Sequence, residues 1–153
     1  MSNKLAWIND KWITNQSVKL PITDRGVTLS DGIFETIMIL KGKPQLLEAH
    51  LSRWERSASS LGMASPPTAT WLKALINEAI QRISLSQGDG ALRLNWSRGT
   101  SFVRGIDLPK AEDHQSAHLF WLELNAITPN FKPITAIISK KIQIELEELL
   151  FDC

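Results

Sequence analysis

The first third of the chain alternates short apolar runs with polar turns, a pattern that predicts strands. Residues 5–8 and 11–14 are two apolar arms around Asn9 and Asp10, and each arm carries a tryptophan. Asn and Asp tolerate the positive φ angles of tight turns, so this segment is predicted to be a β-hairpin. The polar stretch 15–32, which contains proline and glycine, is predicted to be a structured loop.

The next run, 33–40, is rich in β-branched and aromatic residues and is followed by a Lys-Gly-Lys-Pro turn. This composition predicts a mostly buried strand, in which Glu35 is the one residue that does not fit. Apolar residues then recur at spacings of three and four as far as Gly62, which predicts an amphipathic helix. Its inner face consists of Leu47, Leu51, Trp54, Ala58 and Leu61.

A second helix is predicted to start at a cap on Thr68 or Thr70 and to end before the polar stretch 84–90. Its inner face consists of Leu72, Leu75, Ile76, Ala79 and Ile83. Three further strands are predicted at about 91–97, 117–125 and 134–141, with a long loop at 99–116. The order β-β-β-α-α-β-β-β indicates an α+β fold, an antiparallel sheet with two helices.

Composition narrows the class of protein. The 153 residues include 17 basic and 16 acidic ones, giving a net charge of +1 without a basic block, so no nucleic-acid partner is expected. No run approaches the roughly 20 apolar residues of a membrane span, and the N-terminus lacks a signal-peptide core, so no membrane partner is expected. The single cysteine is the last residue. A cytoplasmic location is therefore expected.

Arg53 is the first candidate binding residue, because it lies at the edge of the apolar face of the first helix. None of its neighbours three or four positions away on that helix is acidic. An external anion such as a phosphate could therefore be its partner, since guanidinium matches phosphate oxygens. A solvated surface arginine is the alternative. His50, one turn earlier, could bind alongside Arg53, orient it, or be purely structural.

The loop residues Asp24, Arg25 and Gly26, with Asp31 and Gly32, form a predicted scaffold. Short carboxylates there can accept backbone N–H groups, and the glycines are expected to supply positive φ angles. Further along, Arg98 and Arg104 are each followed by glycine at the end of a predicted strand. An arginine in that position can bind a carboxylate of a ligand.

A metal site is not expected. His114 and His118 are spaced by four, but no glutamate follows His114 in the catalytic zinc pattern, and no third ligand is evident. The segment also leads into a predicted strand rather than a helix.

Taken in order, several of these short motifs resemble the class IV aminotransferase family, the fold-type IV enzymes that use pyridoxal 5'-phosphate (PLP). The resemblance covers about residues 5–141. The matching segments are Trp7-Ile8-Asn9-Asp10, Asp24-Arg25-Gly26, Ser30-Asp31-Gly32-Ile33-Phe34-Glu35-Thr36, Gly42-Lys43-Pro44, His50-Leu51-Ser52-Arg53, Ser57-Ala58 and Ser97-Arg98-Gly99.

The resemblance implies a small domain that packs against a larger PLP-binding domain and takes part in a homodimer. It implies that Arg53, with His50, contacts the cofactor phosphate. Phe34 and the loop with Arg98 and Arg104 would lie where relatives contact an amino-acid or chorismate-derived substrate. Within the family, Phe34 and the two Arg-Gly pairs resemble aminodeoxychorismate lyase more than they resemble the D-amino-acid or branched-chain aminotransferases.

The chain departs from the family near its end. Residues 1–141 are the family-like domain, and 142–153 are an atypical tail where relatives have the lysine that forms the Schiff base and then the large domain. The last lysines, Lys140 and Lys141, precede the expected position, so no catalytic residue is assigned. The expectation is an aminotransferase or lyase truncated before that lysine and inactive alone. The alternative is a non-catalytic remnant or a dimerisation and docking module.

Overall fold

A computed structural model describes residues 3–14, 19–100, 106–107, 118–133 and 135 of the chain. The elements in these ranges are β1 (Lys4–Ile8), β2 (Lys11–Thr14), α1 (Arg25–Thr28), β3 (Gly32–Leu40), β4 (Lys43–Pro44), α2 (Leu47–Ser60), α3 (Ala69–Arg82), β5 (Gly90–Ser97) and β6 (Leu119–Ala126). The strands form an antiparallel sheet in the order β2-β1-β6-β5-β3-β4. The predicted α+β class is confirmed.

Most predicted elements are present within a few residues of their expected ends. The β1–β2 hairpin turns at Asn9 and Asp10, whose φ angles of 48° and 59° are the positive values expected there. The short elements α1 and β4 were not predicted, because four and two residues are too few to produce a periodic pattern. The strand predicted at 134–141 lies outside the described residues apart from residue 135.

Two 14-residue helices, α2 and α3, cover one face of the sheet. Their buried side chains pack on alternate residues of β3, β5 and β6 to form the core, which includes Trp54, Leu72, Ile76, Ile37, Leu92, Leu94, Leu122 and Leu124. Thr68, one of the two threonines predicted as the cap, caps α3: its side-chain oxygen accepts a hydrogen bond from the N–H of Trp71. None of the helices in the described ranges is long and apolar enough to cross a membrane.

The predicted inner face of the first helix is wrong at its last position. Leu61 is 49% exposed. Helix α2 ends at Ser60, and the chain turns away at Gly62, whose φ is +59°. Leu61 therefore no longer follows the helical periodicity that would direct it to the core.

In the part of the chain that the structure describes, strand β3 is paired along nearly the whole of one side but along only part of the other. Along its inner side it pairs with β5 from Gly32 to Ile39. On its outer side β4 pairs only with Ile39 and Leu40. Within the described residues, the outer edge of β3 from Gly32 to Met38 therefore has no strand beside it.

The turn between β3 and β4 requires glycine at position 42. Gly42 has a φ of +73°, and a Cβ built there would lie 2.3 Å from the carbonyl oxygen of Ser86. We expect Gly42→Ala to lower the free energy of unfolding by about 2 kcal/mol or more, measured by urea denaturation. Gly62→Ala is the matched control, because its φ is also positive but a Cβ there meets no atom within 4 Å. Equal losses in the two variants would show that the contact with Ser86 does not matter.

Candidate active site

A cluster of three polar side chains joins β3 to α2. Glu35, which is buried, accepts hydrogen bonds from Arg53 Nε to Oε1 at 2.8 Å and from Arg53 Nη2 to Oε2 at 2.5 Å. His50 Nδ1 lies 2.7 Å from the same Oε2. Positions 50 and 53 are one turn apart on α2, so both side chains reach the same strand residue.

The electrostatics of this cluster favour the ionised carboxylate. Burial alone would raise the pKa of Glu35, but hydrogen bonds and positive charge from Arg53 and His50 outweigh it, and the pKa lies below its ordinary value. The same contact with Glu35 raises the pKa of Arg53. Arg53 is therefore a permanently charged group fixed in one orientation, although 61% of its side chain is exposed.

The expectation that Arg53 needs an external anion as its partner is wrong in one respect. Its own helix supplies no acidic neighbour at a spacing of three or four, as predicted, but β3 supplies Glu35. This ion pair weakens the case for a phosphate, because one positive charge is already balanced. It leaves Nη1 without a hydrogen-bond partner among the described residues, on a guanidinium held in place through Nε and Nη2.

A groove of about 260 Å³ lies beside the loop at 26–32 and reaches the sheet face that the helices do not cover. Phe34 stands on this face, since successive residues of a strand point to opposite sides. Phe34 is 56% exposed, and the guanidinium of Arg93 lies 3.9 Å from the centroid of its ring. The groove is lined by Gly26, Ser30, Gly32, Ile33, Phe34, Arg93, Asn95, Trp96, Ser97 and Trp121.

Glu35 and Arg93 belong to the site, although they are not among the site residues predicted from the sequence. Glu35 had a signal, because it is an acidic residue inside an otherwise apolar strand. Arg93 had none beyond the alternation along β5, where Leu92 and Leu94 are buried and Arg93 points the other way. Its closeness to Phe34 follows from the β3–β5 register, which sequence reasoning did not determine.

The loop at 24–32 is a scaffold, as predicted, but its glycines act differently from the prediction. Asp24 Oδ1 accepts the N–H of Gly26 at 2.8 Å and the hydroxyl of Ser97 at 2.5 Å. Neither Gly26 nor Gly32 has a positive φ. Glycine is needed at both positions because neighbouring atoms leave no room for a side chain. A Cβ on Gly26 would lie 2.8 Å from Ser97 Oγ, and one on Gly32 would lie 3.0 Å from the carbonyl oxygen of Trp96.

Asp31 joins two buried arginines. Arg25 Nε donates to it at 2.7 Å and Arg98 Nε at 2.9 Å. Burial opposes ionisation of Asp31, but the hydrogen bonds and charges of both arginines outweigh it and hold its pKa below the ordinary value. The other donors of Arg98 bind the carbonyl oxygens of Leu61 and Gly62 at 2.8 and 3.1 Å.

Arg98 and Arg104 are the two arginines predicted to bind a substrate carboxylate. Arg98 is only 7% exposed, and its hydrogen bonds go to groups of the fold, which argues against a role in binding a substrate carboxylate. The second predicted residue, Arg104, lies outside the described residues.

His118 and Trp96 together hold the segment between α2 and α3 in place through hydrogen bonds to Ala64. The ring of His118 stacks on Trp96 with a centroid distance of 5.0 Å, and its Nε2 accepts the N–H of Ala64 at 3.2 Å. Trp96 Nε1 donates to the carbonyl oxygen of the same Ala64. No group of three possible metal ligands occurs among the described residues. His114 lies outside them.

His118 predicts a pH dependence of stability. Burial, and then the charge of Arg98, lower the pKa of His118, against a smaller opposing effect of Asp31. Below the ordinary histidine pKa of about 6.5 the unfolded chain then binds more protons than the folded one, so stability falls as the pH drops from 7 towards 5. We expect His118→Gln, whose amide oxygen can accept the same N–H, to flatten this fall in the midpoint of thermal unfolding. An unchanged slope would contradict the assignment.

Comparisons with known proteins agree with the geometry. The sequence profile of the family described as amino-transferase class IV matches residues 32–150. This match runs past residue 141 and includes most of the predicted tail 142–153. A bifunctional aminodeoxychorismate lyase / D-amino acid transaminase of Mycobacterium tuberculosis is 40% identical over 77 residues, which are 50% of this chain and 26% of that protein.

Two solved structures share the fold of this chain and are 27% and 28% identical to it in sequence. A hypothetical aminotransferase from Mycobacterium tuberculosis, in its PLP-bound form, superposes with a TM-score of 0.64 at 27% identity, over 80% of this chain and 40% of that one. The 4-amino-4-deoxychorismate lyase from Pseudomonas aeruginosa gives a TM-score of 0.56 at 28% identity, over 84% and 42%. The chain thus spans less than half the length of these relatives.

Proposed function

Because this chain belongs to the class IV aminotransferase family, we propose that it forms the small-domain part of a PLP-dependent aminotransferase or aminodeoxychorismate lyase. The observation that carries the proposal is the fixed guanidinium of Arg53 beside the open edge of β3. Glu35 and Phe34 are consecutive in β3 and point to opposite faces. The cluster with Arg53 therefore lies on the helix-covered face of β3, and the groove with Phe34 lies on the opposite face, towards β5 and β6.

The donor set fits the phosphate of PLP. Arg53 offers the N–H groups of Nη1, which have no partner among the described residues, and His50 stands next to it on α2. The two bonds to Glu35 fix the guanidinium before a ligand arrives, so little conformational entropy is lost on binding. The fit is weakened by the charge of Glu35, which lowers the net attraction for an anion. Arg53 and His50 are thus proposed to hold the phosphate, with Glu35 as their support.

The groove is proposed to hold the amino-acid or chorismate-derived substrate. Phe34 offers an exposed apolar surface, and Arg93 lies against it. The Nε of Arg93 is bound to Asn95 at 2.9 Å, which orients the rest of the guanidinium towards the ring of Phe34. A guanidinium can bind a carboxylate through two parallel hydrogen bonds, so an acidic substrate suits this groove.

Bound PLP would supply an electron sink for carbanion chemistry and would be attached covalently through a lysine side chain. None of the residues that line the groove is a lysine. Lys140 and Lys141 lie outside the described residues, and the lysine is proposed to come from outside the described ranges or from another chain. A homodimer and a cytoplasmic location remain predictions. Inactivity of this chain alone is proposed on the same ground, since no residue that lines the groove in the described ranges can form the bond to the cofactor.

A nuclear magnetic resonance titration of the full chain tests the proposal. PLP should shift the side-chain Nε–H of Arg53 and the amides of residues 33–36, because its phosphate binds beside the β3 edge. Pyridoxal, which lacks the phosphate, should leave the Arg53 signal unchanged. If PLP does not move the Arg53 signal, the cofactor role is wrong, and the alternative of a non-catalytic or docking module becomes the better explanation.

A further inference from the structure

One wall of the groove is held in a strained shape. Ser30, which lines the groove, has a φ of +56°, a left-handed conformation that is unfavourable for a non-glycine residue. Such a conformation persists only where the surrounding contacts determine it. Ser30 lies between Arg25 and Asp31, which are joined both by their side chains and by a backbone bond from the N–H of Asp31 to the carbonyl oxygen of Arg25.

Arg25 and Asp31, together with Arg98, connect separate parts of the fold. Arg25 also donates to the carbonyl oxygens of Ile106 and Asp107 at 3.2 and 3.1 Å. Arg98 reaches the turn after α2, and its own N–H donates to the carbonyl oxygen of Asp31 at 3.1 Å. We call Arg25, Asp31 and Arg98 the arginine brace. It fixes the groove wall at 26–32 relative to the end of β5, whose Trp96 and Ser97 also line the groove.

We propose that the arginine brace positions the groove wall for the amino-acid part of the substrate, and that its members are positioning residues that do not touch the substrate. This inference rests on the proposed function, since it assigns the groove to the substrate. Arg25 and Arg98 are buried, the side chain of Asp31 is 15% exposed, and the donors of the brace are engaged within the fold, so a change in the brace acts on a ligand through the wall. The phosphate-binding cluster at Arg53 shares no hydrogen bond with the brace in the described residues.

Two probes separate the two halves of the site. PLP reports on Arg53, and phosphopyridoxyl-alanine, a stable secondary amine made from D- or L-alanine, adds the amino-acid part. In the wild-type chain we expect the adduct to bind more tightly than PLP. In Asp31→Asn we expect this gain to fall by about tenfold, with the PLP affinity unchanged, because a displaced wall disturbs only the groove. Glu78→Gln, the same change in an exposed carboxylate bound to Trp12 and Arg82, is the control and should alter neither affinity.

The outcomes are distinguishable. If the wild-type chain does not bind the adduct more tightly than PLP, the substrate role of the groove is wrong and the inference is overturned with it. If Asp31→Asn keeps the full gain, or loses affinity for both probes equally, the inference alone is overturned. Should Asp31→Asn fail to fold, Arg25→Lys keeps the charge but loses the planar fork, and it must show a smaller loss of the same gain for the inference to stand.

Discussion

Replacing Arg98 with methionine should lower the free energy of unfolding by about 3–5 kcal/mol, because it removes one partner from a buried ion pair. Asp31 would keep only Arg25, and the carbonyl oxygens of Leu61 and Gly62 would each lose their side-chain donor. Methionine fills much of the volume of the arginine stem, so the loss reports on the polar contacts more than on packing. Urea denaturation followed by circular dichroism would measure it.

The control is Arg82→Met, the same substitution at an exposed arginine. Arg82 pairs with Glu78 on the surface of α3 and lies over the ring of Trp12. Exposed ion pairs contribute little, so the control should cost about 1 kcal/mol or less. A loss for Arg98→Met no larger than that of the control would contradict the structural role assigned to Arg98, and it would reopen the prediction that this arginine binds substrate.

Replacing Arg53 with alanine should weaken the binding of PLP by about tenfold or more, since a charge-assisted hydrogen bond contributes about 1.5–3 kcal/mol. The affinity for pyridoxal should not change, because the lost partner is the phosphate. Isothermal titration calorimetry with both compounds would measure the two effects on one protein preparation.

Arg56→Ala is the matched control for this measurement. Arg56 lies one turn further along α2 and is bound only to Ser52 among the described residues, so the net charge changes equally without touching Glu35. If both variants weaken PLP binding to the same extent, the effect is a general loss of positive charge. In that case Arg53 has no ligand role, and the alternative of a surface arginine, which the sequence left open, is the better explanation.

The residues of the candidate site differ in how far the sequence revealed them. Arg53 and His50 stood out because their helical spacing and their match to a family motif agreed. Glu35 was noticed as an acidic residue in an apolar strand, but its partner lies on another element, 15 to 18 positions along the chain. The Arg-Gly pair at a strand end and the family resemblance together predict that Arg98 contacts the substrate. That position is equally compatible with an arginine turned into the fold, and only coordinates distinguish the two.

What the sequence determined by itself was local. Apolar spacing of two or of three and four, with turn and capping residues between the runs, was sufficient to predict the hairpin, the two long helices and most strands, because these depend on contacts within a few residues. The tertiary structure decided the strand order, the open edge of β3, the pairing of Glu35 with Arg53 and the arginine brace. These depend on which distant segments meet, and that is set by the packing of the whole core rather than by any one stretch of residues.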